Sequence, residues 1–206
     1  TNIALLAIFA LQHSAMARPA FKRWITRFIP ASMERSTYVL ATSAALILLF
    51  AAWQPMGGVI WYVENAALRG LLYAVFGLGW LLVLSSTFLI NHFDLFGLRQ
   101  VWLNLCNKPY TPLKFGTPLL YRLVRHPLYL GFLLAIWATP VMTAAHLLLA
   151  IGLTAYIFMG IRLEEKDLVD ALPEYEEYRQ QVPMILPIPK RKAHTAHASK
   201  AQAGAA

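Results

Sequence analysis

The chain has 206 residues, of which 58% are hydrophobic and 14% are charged. Soluble domains usually carry about a quarter charged residues, so this composition excludes an ordinary soluble domain and indicates an integral membrane protein. The net charge of +8 does not indicate a nucleic-acid-binding protein, because the basic residues stand beside apolar segments. The single cysteine, Cys106, excludes an internal disulfide and carries no metal-binding pattern.

Five apolar segments approach or exceed the length of about 20 residues that crosses a bilayer. They cover residues 1–17, 36–53, 67–90, 127–142 and 145–162. We therefore predict an all-α integral membrane helix bundle with about five transmembrane helices. Residues 1–189 are expected to form one domain, and residues 190–206 a disordered basic tail. Since the chain opens at Thr1 inside an apolar run, we also expect a preceding segment to be missing.

The basic residues alternate between the connections of these segments. The connections after the second and fourth segments hold only Glu64 and Arg69, whereas the others are basic, so the positive-inside rule places the basic ones in the cytoplasm. Seven of the ten acidic residues lie between Glu164 and Glu177, which predicts a C-terminal cytoplasmic amphipathic helix. The basic connections contain Arg18, Lys22, Arg23, Arg27 and Arg35, then Arg99, Lys108, Lys114, Arg122 and Arg125, then Lys190, Arg191 and Lys192.

Polar groups gather at the predicted cytoplasmic ends of the segments. Such groups are costly at membrane depth and are usually retained for function, and His13 is the clearest case. If the helices pack as one bundle, these groups converge on one face and line a cytoplasm-facing pocket. They are Gln12, His13 and Ser14; Asn91, His92 and Asp94; Arg125 and His126; and Arg162, Glu164 and Glu165.

Ordinary structural roles remain open for the same residues. Arginines at helix ends often extend to lipid headgroups, and His126 can simply precede Pro127 at the start of a helix. Arg162 and Glu165 stand three residues apart and can form an ion pair on one helical face. The residues alone do not decide between these roles and a ligand pocket.

Three motifs in the C-terminal part resemble the isoprenylcysteine carboxyl methyltransferase superfamily. They are Arg125-His126-Pro127-Leu128-Tyr129, then Arg162-Leu163-Glu164-Glu165-Lys166-Asp167-Leu168, then Tyr175 with Tyr178 and Val182-Pro183. This resemblance implies an integral membrane methyltransferase that uses S-adenosylmethionine. It also implies that His126 and Tyr129 line the cofactor pocket, with Arg125 behind them and Arg162, Glu164 and Glu165 across from them. The superfamily often has Gly where Leu119 stands, so the loop before the first motif departs from the pattern.

The N-terminal part narrows the resemblance. The stretches LQHSAMARPAFKRW, ERSTYVL and NHFDLFGLRQ are similar to bacterial methanethiol S-methyltransferases, which form dimethyl sulfide. This implies a small thiol substrate and an active site facing the cytoplasm in a bacterial cytoplasmic membrane. The thiol must lose its proton, because the thiolate is the nucleophile and a cysteine-like thiol has a pKa of about 8.5. Candidate bases are His13, His92 and Asp94, and Arg99 or Arg18 is the candidate to stabilise the anion.

Two other functions remain open. A methyltransferase for a prenylated or lipid-like substrate would need a gap between helices that opens to the lipid. A non-enzymatic transporter or membrane partner protein is the other possibility. Against transport, the predicted outer half holds few polar groups, namely Thr139, Thr143 and His146.

Overall fold

The computed structural model describes residues 1–113 and 116–188, so the predicted tail at 190–206 lies outside the described residues. The described part is helical apart from two short strands and the connecting segments. Its elements are α1 (Asn2–Ala17), α2 (Pro19–Ile25), α3 (Glu34–Ala51), β1 (Val59–Tyr62), α4 (Ala66–Ile90), α5 (His92–Leu95), α6 (Leu98–Leu105), α7 (Pro127–Trp137), β2 (Val141–Thr143), α8 (Ala144–Ala171) and α9 (Pro173–Gln181).

Three helices of the described part are long and apolar enough to cross a membrane, and a fourth span exists if the bent pair α1 and α2 is counted. An integral membrane helix bundle is therefore confirmed, but five spans are not. The fourth predicted segment, 127–142, is helical only from Pro127 to Trp137, a length of about 16 Å at 1.5 Å per residue. The fifth segment is part of α8, which continues without a break to Ala171.

The chain turns sharply between α1 and α2. Arg18 is extended, with φ −72° and ψ 141°, and the two helices meet at 77°. Proline disfavours the helical conformation of the residue before it but fits the first turn of a helix, so Pro19 ends α1 and begins α2. The basic connection predicted after the first segment therefore contains a short helix, α2, whose axis is bent away from that of α1.

Helices α4 and α7 pack at very short range through glycine. A Cβ atom at Gly79 would lie 2.7 Å from the backbone nitrogen of Ala135, and one at Gly131 would lie 2.6 Å from the carbonyl oxygen of Gly79. Neither position has room for a side chain. This contact holds the short helix α7 against the long helix α4 and so fixes the position of the residues just before Pro127.

One end of the bundle is held together by a pair of short strands and by hydrogen bonds between side chains and the backbone. Strands β1 and β2 pair antiparallel, and the indole Nε1 of Trp61 donates to the Thr139 carbonyl at 3.1 Å. Asn2 exchanges hydrogen bonds with the Gln54 backbone at 2.8 and 2.9 Å. This short strand pair was not predicted: the residues around Pro140 leave α7 and pair as a strand before α8 begins, within a bundle that is otherwise helical.

The opposite end carries the ion pairs between helices. Arg18 pairs with Asp167 at 3.2 Å, and the Nε of Arg35 donates to the carbonyl of Leu95 at 2.8 Å. These contacts join the ends of α1 and α3 to the end of α8 and to the α5–α6 region.

Gly79→Ala should lower the melting temperature of the detergent-purified protein, because its methyl group would overlap the α7 backbone. Overpacking of this kind typically costs about 1–3 kcal/mol. Gly77→Ala on the same helix is the matched control, since a Cβ atom there meets nothing within 4 Å. Gly77→Ala should leave stability equal or slightly higher. Equal melting temperatures for Gly79→Ala and the unmodified protein would contradict the close packing.

Candidate active site

The segment before α7 is held by the C-terminal part of the chain. The backbone N–H of Arg125 donates to the carbonyl of Pro183 at 2.9 Å, and that of His126 donates to the carbonyl of Met184 at 3.1 Å. Pro127 then begins α7 without needing an N–H partner. The two C-terminal motifs that are distant in sequence thus meet through their backbones.

One buried carboxylate joins three segments. The Oε1 of Glu165, on α8, lies 2.7 Å from the Nε of Arg125, 2.9 Å from the Nε2 of His126 and 3.5 Å from the hydroxyl of Tyr175. Arg125, His126 and Glu165 are each less than a tenth exposed. An ionised carboxylate only accepts hydrogen bonds, so the Nε2 of His126 carries a hydrogen. We call Arg125, His126, Glu165 and Tyr175 the Glu165 cluster.

The guanidinium of Arg125 also binds the end of α9. Its Nη1 donates to the carbonyls of Arg179 and Val182 at 2.9 and 2.5 Å. These are terminal carbonyls of a helix, which have no partner within the helix and favour a cation. One arginine therefore fixes both the buried carboxylate and the position of α9.

Two tyrosines of α9 strengthen the same packing. Burial raises the pKa of the Tyr178 hydroxyl to about 12, and burial together with the Glu165 charge raises the pKa of Tyr175 well above its ordinary value. Both hydroxyls are thus protonated at neutral pH. Tyr178 donates to the carbonyl of Tyr121 at 2.6 Å. Both tyrosines of α9 thus pack against the body of the protein.

Glu164 faces another direction from its neighbour Glu165. It is exposed, and its Oε2 accepts from the hydroxyl of Tyr129 at 2.9 Å. Burial and then the charge of Glu164 raise the pKa of Tyr121, so this tyrosine also lies near the carboxylate. Arg162 is exposed, and in the described ranges Glu165 forms its ion pairs with Arg125 and His126. The alternative Arg162–Glu165 ion pair is therefore absent from residues 1–113 and 116–188.

His13 lies in a second polar cluster between α1, α3 and α8. The hydroxyl of Tyr38 is 2.8 Å from its Nε2, and the Oγ1 of Thr42 is 3.3 Å from its Nδ1. The neighbouring Ser14 hydroxyl lies 3.0 Å from the Tyr156 hydroxyl on α8. The ring of Tyr156 also lies edge-on to His13, with centroids 6.0 Å apart. We call these five residues the His13 cluster.

The remaining catalytic candidates form different contacts. The Nδ1 of His92 is 2.9 Å from the Thr87 hydroxyl, and its ring stacks on Phe88 with centroids 4.4 Å apart. Asp94 pairs with Arg99 at 2.8 Å, and Tyr110 donates to the same carboxylate. Within 1–113 and 116–188, no hydrogen bond or ion pair joins either group to His13 or to the Glu165 cluster.

Four residues near His13 or Glu164 were not among the predicted site residues, namely Tyr38, Thr42, Tyr121 and Tyr156. Tyr38 and Thr42 are four residues apart on α3, a spacing that puts both on one helical face. That spacing was the available signal. Tyr121 and Tyr156 had no comparable signal, because tyrosine in an apolar segment is equally compatible with packing or with an interface position.

Comparison of the sequence with known proteins agrees with the resemblance that these motifs carry. Residues 2–196 match the family model described as NnrU protein. The chain is 58% identical over 191 residues to the methanethiol S-methyltransferase of Mycobacterium tuberculosis, covering 92% of this chain and 78% of that protein. It is 58% identical over 193 residues to the methanethiol S-methyltransferase of Crocosphaera subtropica, covering 93% and 76%. Nurim of Xenopus laevis is 35% identical over 175 residues, covering 81% and 61%. No solved structure matches.

Arg125→Ala should release α9 and the segment that follows it. Removing one partner of a buried ion pair costs about 3–5 kcal/mol, because the other charge stays buried without its partner. Hydrogen exchange measured by mass spectrometry should become faster in residues 173–185. The control is Arg122→Ala, which removes an exposed arginine whose Nε bonds only the Thr117 carbonyl among the described residues. Equal protection of residues 173–185 in the two variants would contradict the role of Arg125.

Proposed function

The chain belongs to the NnrU protein family and is a relative of the methanethiol S-methyltransferases, and on this premise we propose that it methylates methanethiol to dimethyl sulfide. The observation that carries the proposal is the 58% identity to two such enzymes over more than nine-tenths of the chain. The contact between the first and second motifs supports the proposal. His126 of the first motif binds Glu165 of the second, although the two residues are 39 positions apart in the chain.

The residues around Glu164 fit S-adenosylmethionine as the methyl donor. When bound, this molecule supplies an electrophilic methyl group on a sulfonium, and it also carries an ammonium and a carboxylate. Glu164 is an exposed carboxylate next to the phenol of Tyr129, and carboxylates and aromatic rings both attract cations. Arg162 is exposed on the same helix and suits a carboxylate. We assign Glu164, Tyr129 and Arg162 to direct donor binding.

The Glu165 cluster then has two roles. The Oε1 of Glu165 is occupied by Arg125 and His126, so these groups fix the start of α7 relative to α8. Tyr129 is one turn into α7, and Glu164 is the neighbour of Glu165, so the cluster sets their separation. The hydroxyl of Tyr175 on α9 also reaches the Oε1 of Glu165 at 3.5 Å, so the cluster fixes α9 against α8 as well.

His13 is the residue that we assign to removal of the thiol proton. Neutral imidazole accepts a proton near neutral pH, and the His13 cluster includes Tyr156 of α8, the helix that also carries Glu164 and Arg162. Asp94 is engaged by Arg99 and Tyr110, and Arg99 is further engaged by Thr111, so neither is free to act on a thiol. His92 remains the second choice for the base.

The proposed placement in the membrane follows from charge. The basic connections and the ion pairs lie at the end of the bundle that holds the Glu165 cluster, whereas the end with β1 and β2 holds Glu64 and Arg69. The positive-inside rule then puts the active site at the cytoplasmic face of a bacterial cytoplasmic membrane. In this arrangement α7 is the fifth, shorter element, which crosses together with the residues that lead into β2.

A lipid-like substrate is less favoured. An apolar groove of about 360 Å³ does lie between α4, α7 and the C-terminal segment, where Leu130, Trp137 and Ile185 line it. However, neither Glu164 nor His13 lines this groove. A lipid bound there would therefore not place its reacting group at the proposed site.

Purified protein incubated with S-adenosylmethionine and methanethiol should release dimethyl sulfide, measured in the headspace by gas chromatography. His13→Ala should lower turnover by about a hundredfold or more, the range lost when a general base is removed. Calorimetry should show unchanged donor binding for this variant.

The matched control for this experiment is His146→Ala at the opposite end of the bundle, where the His146 Nε2 lies 2.9 Å from the Ile136 carbonyl. This variant should retain turnover. Absence of dimethyl sulfide from the unmodified protein would contradict the proposed reaction. Loss of donor binding in His13→Ala would instead make His13 a donor-binding residue.

Glu164→Gln should weaken binding of S-adenosylmethionine by about tenfold or more. The reason is that an interaction with a charged group typically contributes about 1.5–3 kcal/mol to the free energy of binding. S-adenosylhomocysteine lacks the sulfonium charge, so its dissociation constant should change much less. Both constants can be measured by calorimetry, with Glu177→Gln on the surface of α9 as the control. An equal loss for the two ligands would show that Glu164 does not face the sulfonium.

A further inference from the structure

A second polar cavity lies apart from the donor-binding residues. This cleft has a volume of about 460 Å³ and lies between α2, the start of α3 and α6. His13, Tyr129 and Glu164 do not line it. The polar side chains that line it include Lys22, Ser32, Arg35, Gln100, Asn104 and Lys108.

The cleft has an excess of cations. Lys22, Arg35 and Lys108 line it without an ion pair in residues 1–113 and 116–188. Two carboxylates also line it, but Asp94 is neutralised by Arg99 at 2.8 Å, which leaves Glu34. The Nε of Arg35 donates to the carbonyl of Leu95, and its guanidinium lies over the ring of Tyr38 at 5.4 Å from the centroid, so this cation is held in place at the cleft. The field in the cleft therefore favours an anion.

Two buried polar atoms in the cleft have no hydrogen-bond partner among the described residues. They are the Oγ of Ser32 and the Oε1 of Gln100. The amide nitrogen of Gln100 already donates to the carbonyl of Asp94, so its oxygen needs a donor from elsewhere. A buried polar atom without a partner typically costs about 1–3 kcal/mol. A ligand that has both acceptor oxygens and hydroxyl donors would satisfy the two atoms.

The walls of the cleft have the composition of helices that lie at the surface of a bilayer. On α6 the side chains of Leu98, Val101, Trp102 and Leu105 are exposed, and their spacing of three and four residues places them on one face. Gln100 and Asn104 lie elsewhere on this helix and line the cleft. On the other wall, Trp24 of α2 is also exposed. Short helices with one apolar face and exposed tryptophan are typical of the lipid–water boundary.

We propose that this cleft binds the headgroup of an anionic phospholipid. Lys22, Arg35 and Lys108 hold the phosphate, and the hydroxyl of Ser32 donates to one of its oxygens. A headgroup hydroxyl, as in phosphatidylglycerol, donates to the Oε1 of Gln100. The acyl chains leave along the apolar outer faces of α2 and α6. The bound lipid would fix α2 and α6 to each other at the cytoplasmic end of the bundle.

The test uses the purified full chain in a neutral detergent. Dioctanoyl phosphatidylglycerol, dioctanoyl phosphatidylcholine and inorganic phosphate are titrated separately, and binding is measured by native mass spectrometry. Phosphatidylglycerol should bind about tenfold or more tightly than either of the others, because only it combines an anionic phosphate, hydroxyl donors and acyl chains. Bound phosphatidylglycerol should also slow hydrogen exchange in residues 19–25 and 98–105 of the unmodified protein.

The double variant Lys22→Gln with Lys108→Gln should weaken phosphatidylglycerol binding by about tenfold or more, since each basic residue near a lipid phosphate contributes to binding. The control is Arg27→Gln with Lys166→Gln, which removes the same number of charges from exposed positions that do not line the cleft. It should change binding by less than about threefold. Melting temperatures check that both variants are folded.

Four results would overturn the proposal. Equal binding of phosphatidylglycerol and phosphatidylcholine would show that the anionic headgroup is not recognised. Equally tight binding of inorganic phosphate would make the cleft a site for free phosphate rather than for lipid. Unchanged exchange in α2 and α6, or equal binding by the two double variants, would place the lipid elsewhere on the surface.

Discussion

The burial of the Glu165 carboxylate is the constraint on which the arrangement of this end of the protein depends. A carboxylate removed from water is stable only when charged or hydrogen-bonding groups compensate it, and here the donors come from Arg125, His126 and Tyr175. Those donors belong to the segment before α7 and to α9, whereas Glu165 is on α8. No two of the three segments can therefore move apart without exposing or orphaning the charge, and the backbone bonds of Pro183 and Met184 follow from the same packing.

The carboxylate of the neighbouring residue, Glu164, is exposed, whereas that of Glu165 is buried. This difference explains why the two adjacent acidic residues have different roles. Successive residues on an α-helix point about 100° apart, so Glu164 cannot enter the cluster that Glu165 occupies. It remains exposed beside the Tyr129 hydroxyl. In the proposed methyltransferase, the satisfied carboxylate gives rigidity and the accessible one gives affinity for a cation. The helical geometry alone produces this division.

Much of this arrangement was predictable, and the parts that were not have physical reasons. The apolar segments predicted the membrane helices, and their polar ends predicted that Arg125, His126 and Glu165 would come together. The predicted fourth segment was too long because Val141 and Met142 are apolar, but these two residues follow Pro140 and pair with β1 after α7 has ended at Trp137. The pairing of Glu165 with Arg125 rather than Arg162 depends on how far α7 and α8 approach each other, which the spacing of residues along one helix does not contain.

Leu119 illustrates a different kind of limit. It has a φ of 38°, a conformation that favours glycine, at the position where the resembled superfamily often has Gly. The turn is thus kept although the residue that suits it is absent. The hydrogen bonds from Tyr121 to Pro118 and from Tyr178 to Tyr121 lie around this residue and help to hold the turn.

The backbone contacts of Arg125 and His126 with Pro183 and Met184 also bear on biosynthesis. Residues 173–185 follow α8 in the chain, so they leave the ribosome after the membrane helices have been made. Until then Glu165 has neither Tyr175 nor a fixed Arg125, because the carbonyls that hold that arginine do not yet exist. A nascent chain can therefore be fully inserted in the bilayer and still lack a formed site, and translation that stops before residue 173 would yield an inserted but incomplete protein.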